Sequence, residues 1–201
     1  MTRKRRPTRA ETRERLLEAA ERVFAQRGLH AATVDEIAEE AGFSIGALYS
    51  NFAGKEEVFL ALFRKHTERR LADVGAVEEA GDEIAVRAER AGDLFLTFLT
   101  NEPDWPLLFY ELWAYAARNP HVRDEWVAGR RRLRSAIAAA VEEATRTRGV
   151  TLPLPADQLA VALNALVNGI AAESVTDPDG VPDDLVARAV AIFLRGIEGD
   201  R

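Results

Sequence analysis

The stretch Thr33 to Lys55, TVDEIAEEAGFSIGALYSNFAGK, constrains the fold of this 201-residue chain more than any other part of it. It reads as two short helices hinged at Gly42. The Thr33 hydroxyl can accept a hydrogen bond from the Glu36 backbone N–H while the Glu36 carboxylate reaches back to residue 33, the reciprocal arrangement that starts a helix. Gly42 should end that helix, because glycine takes the left-handed backbone that turns a chain out of it. Ser44 then offers a second N-cap hydroxyl, and Phe43 lies five positions before Leu48, the spacing of a hydrophobic staple. The second helix is therefore expected over roughly Ile45 to Asn51.

On this reading Ile37, Ala38, Ala41, Leu48 and Phe52 share an inner face. That leaves Ile45, Gly46, Ala47, Tyr49, Ser50 and Asn51 wholly or partly outward, and none of them is charged. An exposed helix ordinarily carries Lys and Glu; small and hydrogen-bonding side chains instead suit insertion into a groove about 12 Å wide. Gly46 would let the backbone come close to a phosphate.

The whole segment, and in particular Thr33, Ile37, Ala38, Ala41, Gly42, Ser44, Leu48, Tyr49, Phe52 and Lys55, resembles the DNA-binding signature of the TetR family of bacterial transcription regulators. The rest of the chain is similar to that family only in length and helical layout. The resemblance implies an all-α fold: a three-helix helix-turn-helix head over residues 1–54, with a basic arm over 1–9, followed by a larger helical ligand-binding and dimerisation body over 55–201. It implies a homodimeric regulator without a cofactor, and a repressor released from a near-palindromic double-stranded operator by a small, largely apolar effector of unknown identity. Ile45, Ala47, Ser50 and Asn51 would then choose bases, while Thr33, Ser44, Tyr49 and Lys55 grip the backbone and fix register. Lys55 follows Gly54 at the first turn of the next helix, where free N–H groups already favour an anion. Ile45 stands where the family often has a polar or basic residue, so contact with a thymine methyl can replace a hydrogen bond there.

Charge agrees with such a division. The formal net charge is −6, yet residues 1–66 hold 12 Lys/Arg against 10 Asp/Glu and the remainder 15 against 23. A positive end on an acidic chain points that end at a polyanion. Arg3, Lys4, Arg5, Arg6 and Arg9 concentrate the charge, either to neutralise phosphates or to enter a minor groove; a solvated terminus is the alternative. With 47% apolar residues and no cysteine the chain needs neither disulfide nor zinc to build a core. No apolar run follows the basic start, and the uncharged stretch Gln158 to Ala172 is short for a bilayer, so a cytoplasmic, non-membrane protein is expected.

Helical spacing of Leu16, Leu17, Ala20, Val23 and Phe24 predicts a long helix from Arg9 to Gln26 with Gly28 after it. A fourth helix, about Lys55 to Ala72, leaves the head as a connecting rod. The charged, glycine-containing stretch Val74 to Ala91 reads mainly as a loop. Five further helices are expected over about 85–100, 105–118, 122–148, 156–174 and 183–197, separated by Asn/Pro/Gly/Asp breaks, with no strand and no repeat.

Phe95, Phe98, Trp105, Phe109, Tyr110, Trp113, Tyr115 and Trp126 crowd into one part of the sequence. Aromatic rings of this kind fill helical cores without binding anything. Read as a cavity wall, they make Phe98, Phe109, Trp113, Tyr115 and Trp126 ligand-binding candidates, with Asn164 and Asn168 orienting a guest. Those two asparagines lie four apart on one face of an apolar helix, and buried amides need partners: ligand, neighbouring subunit, backbone carbonyls or water. The last two helices carry more small and aliphatic surface than one helix can bury, which suits a four-helix bundle about a twofold axis in a homodimer. An all-helical enzyme has little support: His30, His66 and His121 fall in separate segments, and there is no cysteine nucleophile, phosphate loop or metal-ligand spacing. A protein-interaction module is the other rival class.

Overall fold

A computed structural model describes residues 7–80, 83–146, 149 and 151–198. Among these residues there are nine α-helices, one short 3-10 turn and no strand. The helices are α1 (Arg9–Ala31), α2 (Val34–Ala41), α3 (Ile45–Tyr49), α4 (Lys55–Glu79), α5 (Ile84–Asn101), α6 (Trp105–Arg118), α7 (Pro120–Arg146), α8 (Ala156–Thr176) and α9 (Leu185–Glu198), with the 3-10 turn at Pro178–Gly180. They fall into two compact units: residues up to Lys65 with Leu108–Trp126, and His66–Leu107 with Val127 onward.

In the first unit, the expected stripe of α1 is buried: Leu16, Leu17, Ala20, Val23 and Phe24 all face inward. They meet Ile37, Ala38 and Ala41 of α2, Leu48 of α3, Phe52, and Val58, Phe59 and Leu62 of α4 in the buried set. The Phe24 and Phe59 rings meet edge to face with centroids 5.0 Å apart, a geometry that aligns a ring edge with the electron-rich face of its neighbour. The caps of α2 and α3 are the expected ones. Thr33 and Glu36 form the reciprocal box, Gly42 takes φ 70° at the end of α2, and Ser44 accepts from the Ala47 N–H. The α1 assignment runs to Ala31, but Gly28 breaks it with φ 72° and ψ 162°, a backbone region open essentially to glycine alone. The freed Leu29 N–H donates to the Glu111 carboxylate of α6 at 2.6 Å.

In the second unit α5 packs along α9, and α8 packs against α9. Ile137, Val141, Leu152 and Leu159 pack with Phe193 and Leu194, joining α7, α8 and α9, while Ala138, Ala156 and Ala160 form an adjoining small-residue contact between α7 and α8. Helix α8 is 21 residues long and, by length and mean hydropathy, apolar enough to cross a membrane, although little of it is buried. Asp157 and Glu173 flank its uncharged middle, and Asn164 and Asn168 interrupt it.

Several expected boundaries move. The stretch Val74 to Ala91 is largely helix: α4 continues to Glu79 and α5 begins at Ile84. Val, Ala and Glu around Gly75 are good enough helix formers to carry one glycine, whose cost is about 1 kcal/mol relative to alanine. Helix α3 stops at Tyr49, earlier than Asn51, and α7 starts at Pro120, two residues before Val122; proline suits a first helical turn, where its missing N–H would be unbonded anyway.

Two glycines give opposed predictions. A Cβ on Gly92 of α5 would sit 2.6 Å from the Ala187 Cβ of α9 and 3.3 Å from its backbone, whereas one on Gly75 of α4 would meet nothing within 4 Å. Gly92→Ala should therefore lower unfolding stability by about 1–3 kcal/mol through overpacking. Gly75→Ala should raise it by roughly 0.5–1 kcal/mol. Urea unfolding of the two variants beside the parent checks both signs.

Candidate functional site

The uncharged face of α3 is open. Leu48 is fully buried, but Ile45 is 39% and Tyr49 54% exposed, with Gly46 and Ser50 also exposed and Ala47 and Asn51 half-buried. A five-residue helix cannot hold its own shape in water, since nucleation alone is unfavourable. What holds this one is its cap, its buried Leu48, and a row of arginines on α1. Arg9 donates to the Ser50 carbonyl at 3.2 Å, and Arg13 to the Asn51 carbonyl at 3.2 Å. The Arg13 guanidinium also lies 4.2 Å above the centre of the buried Phe52 ring. Further along, Arg15 covers Phe43 at 5.0 Å, Arg22 pairs with Glu40 at 2.8 Å, and Arg27 pairs with Glu36 at 3.1 Å. Backbone and side-chain hydrogen bonds from Thr33 hold the Glu36 carboxyl below its usual value, so it stays ionised opposite Arg27.

The DNA-side candidates are thus brought together at one end of the first unit, and several already have bonds within the protein. Thr33 and Ser44 hydroxyls cap their helices. The Ser50 hydroxyl donates to the Ala47 carbonyl at 2.8 Å, and the Asn51 amide donates to the same carbonyl at 2.8 Å. Lys55 Nζ donates to the carbonyls of His30 at 2.9 Å and Ala32 at 2.8 Å, which ties the start of α4 to the end of α1. An ammonium has three N–H donors, so one remains for an outside acceptor. Arg3, Lys4, Arg5 and Arg6 lie outside the described residues. Arg13 and Arg15 are the side chains that sequence reasoning missed. The available signal was the four-residue spacing of Arg9 and Arg13, which puts both on one face of α1.

Beside Lys55, Glu56 binds two side chains from the α6–α7 corner. Tyr115 donates its phenol proton to one carboxylate oxygen, and His121 Nε2 lies 3.1 Å from the other. The Tyr115 bond is the main reason that the Glu56 carboxyl lies below its usual value, and it pushes the Tyr115 phenol up to about 12.

The ligand-side candidates fall in both units. Phe109 and Trp126 belong to the first, where their ring centroids are 5.1 Å apart and Phe63 stacks on Trp126 at 4.6 Å. Tyr115 is the Glu56 partner, and Trp113 is 54% exposed. Phe98, in the second unit, carries the Arg70 guanidinium 4.3 Å above its ring, and Arg70 pairs with Asp73 at 2.7 Å, whose carboxyl burial pushes up. Asn164, also in the second unit, is buried and accepts from Arg130 of α7 at 2.8 Å; Asn168 donates to the Asn164 carbonyl at 2.6 Å. Arg130 is therefore a partner for those amides that the sequence reading did not name. It opens the Arg130-Arg131-Arg132 run, in which Arg130 is half-buried and the other two are exposed.

Comparison with known proteins matches residues 16–62 to the bacterial regulatory proteins of the tetR family, and residues 85–198 to the C-terminal region of BetI-type transcriptional repressors. The activator FasR of Mycolicibacterium smegmatis is 35% identical over 51% of this chain, which spans about half, 47%, of FasR's length. The repressor AcnR of Corynebacterium diphtheriae is 29% identical over 78% of this chain and 77% of its own. Among solved structures, a Saccharomonospora viridis protein in complex with choline is 26% identical, with a TM-score of 0.77 over 96% of this chain and 100% of that one.

The Glu56–Tyr115 bond carries its own prediction. A phenol whose folded value is raised above the ordinary 10.0 adds stability that is fully present below that ordinary value and is lost as pH rises through the folded one. In an absorbance titration one tyrosine should ionise near pH 12, as expected for Tyr115. Glu56→Gln should return that tyrosine toward 10.0, and Tyr115→Phe should remove the high step altogether.

Proposed function

The chain belongs to the TetR family of bacterial regulatory proteins, and on that premise we propose that it is a homodimeric repressor whose paired α3 helices enter successive major grooves of a near-palindromic operator, about 34 to 36 Å apart. As a family member it is a DNA-binding transcription regulator with a helix-turn-helix domain, and not an enzyme. Residues 1–54 would bind DNA, with the arm over 1–9, and 55–201 would bind the ligand and the second copy.

The observation that carries the reading is the bare, uncharged face of α3, where Ile45 and Tyr49 stand exposed while Leu48 anchors the opposite side. Ile45, Ala47, Ser50 and Asn51 would meet base edges. Ser50 and Asn51 must exchange their bonds to the Ala47 carbonyl for base contacts, whereas Ile45 and Ala47 need only exclude water. Gly46 would let the backbone approach, and Ser44, Tyr49 and the remaining Lys55 proton would hold phosphates, with Thr33 joining them only by exchanging its hydroxyl bond to Glu36.

Dimerisation through α8 and α9 is supported by exposed apolar side chains: Val161 and Val175 of α8, and Ile192 of α9, which is 70% exposed. Pairing with a second copy would also shield the mid-helix of α8, in keeping with a cytoplasmic protein that does not enter a membrane. A small apolar effector bound by the helical body would release the operator to the extent that it binds the released state better, ~1 to 3 kcal/mol in typical coupling.

Selection of bound fragments from random duplex DNA is the test. It should return a sequence with two inverted half-sites, and Tyr49→Ala or Lys55→Ala should weaken binding to it by about tenfold with unchanged helicity. Wild-type protein that shows no salt-sensitive binding to any duplex would reject the reading.

A further inference from the structure

We propose that Arg13, assisted by Arg9, is a positioning residue for operator recognition: it sets the tilt of α3 in the groove from behind, without touching a base. The proposal rests on the DNA-binding function just described.

Helix α3 has no basic residue in its own last turn, so the carbonyls at its C-terminal end have no cation supplied locally. Such end carbonyls lack intrahelical partners and attract positive charge. Here the charge comes from α1, forty positions earlier in the chain by rough count, and from two arginines one helical turn apart. Arg9 reaches Ser50 O and Arg13 reaches the next carbonyl, Asn51 O, both at 3.2 Å. Two contacts on consecutive carbonyls fix a direction as well as a distance.

Arg13 is the better placed of the two. It is half-buried, and its guanidinium carbon lies 4.2 Å from the centre of the Phe52 ring, a ring that is itself 2% exposed and belongs to the core of the first unit. A guanidinium held over an aromatic face keeps its N–H donors for a neighbouring carbonyl. Lysine has the charge but neither the flat head nor the fork. The Asn51 side chain is half-buried, with its amide bonded to the Ala47 carbonyl, and as a base-reading candidate it moves directly with any shift of its backbone.

The alternatives make different marks on binding. A direct phosphate contact by Arg13 would strengthen all duplexes alike and contribute about 0.9 to the log–log salt slope. A purely structural role would alter stability but leave the preference for operator over random duplex intact. A positioning role changes that preference, because a tilted helix still lies on the backbone but no longer aligns with base edges.

The experiment uses the full chain and an operator fragment recovered by selection, with a random duplex of equal length as the reference. Dissociation constants for both are measured across a salt series for the parent, Arg13→Gln, Arg13→Lys and Arg15→Gln, each checked for unchanged helicity and thermal midpoint. The expected result for Arg13→Gln is a loss of about tenfold or more on the operator with little change on random duplex and in salt slope. Arg13→Lys should recover only part of it, and Arg15→Gln, which alters the hinge rather than the α3 end, should keep most of the preference. Equal losses on both duplexes with a shallower slope would overturn the proposal in favour of a phosphate contact. A lowered thermal midpoint with an unchanged operator preference, in either Arg13 variant, would overturn it in favour of a structural role. Failure of the parent itself to bind DNA would instead remove the functional reading beneath it.

Discussion

A helix of five residues has to borrow its rigidity. Helix α3 makes too few internal hydrogen bonds to nucleate, so its shape is a property of its surroundings. Leu48, fully buried, supplies about 1.5–3 kcal/mol of apolar burial, the Ser44 cap about 1 kcal/mol, and the arginines of α1 close the far end. Leu48 anchors one side, while the cap and the arginines act at the two ends. That asymmetry is what leaves the other side free of both charge and cover, and the functional reading stands on it.

The same economy runs through the rest of the first unit. Its helix ends are secured by side chains from other helices: Lys55 on the last carbonyls of α1, Glu111 on the N–H freed at Gly28, and Tyr115 and His121 on Glu56 at the start of α4. Charged partners satisfy a stranded backbone group more strongly than neutral ones do. Short helices joined by tight turns have many such ends for their length, which explains why so much of this unit's charge is engaged in holding its geometry.

Local signals made the head legible in the sequence. Capping boxes, the left-handed Gly42, and the 3-4 spacing of the apolar residues each act within a few positions, so α2, the start of α3 and the buried face of α1 could be read directly. The loop expected over Val74 to Ala91 went astray because charge and glycine lower helix propensity without abolishing it, and α4 simply ran on to Glu79. Contacts at long separation were not legible. Nothing near Arg13 in the chain announces Asn51, and nothing near Asn164 announces Arg130; the asparagine pair showed only that a partner was required. The aromatic cluster was visible as composition, but the setting of each ring was not. Trp113 is more exposed than covered, while Phe109 and Trp126 share a packed core with Phe63.

The arginines along α1 have a kinetic corollary. Arg22 and Arg27 face carboxylates at 2.8 and 3.1 Å, and Lys65 faces Glu14 at 2.6 Å. Beyond a screening length of about 8 Å such pairs look like dipoles, not cations. The far field that would guide a diffusing polyanion is therefore weaker than the arginine content implies, and on the proposed function long-range capture would draw more on cations without a carboxylate partner, such as Arg9 and Arg13. On that function, charge neutralised within α1 would serve docked fit more than encounter speed, so the two could be retuned separately.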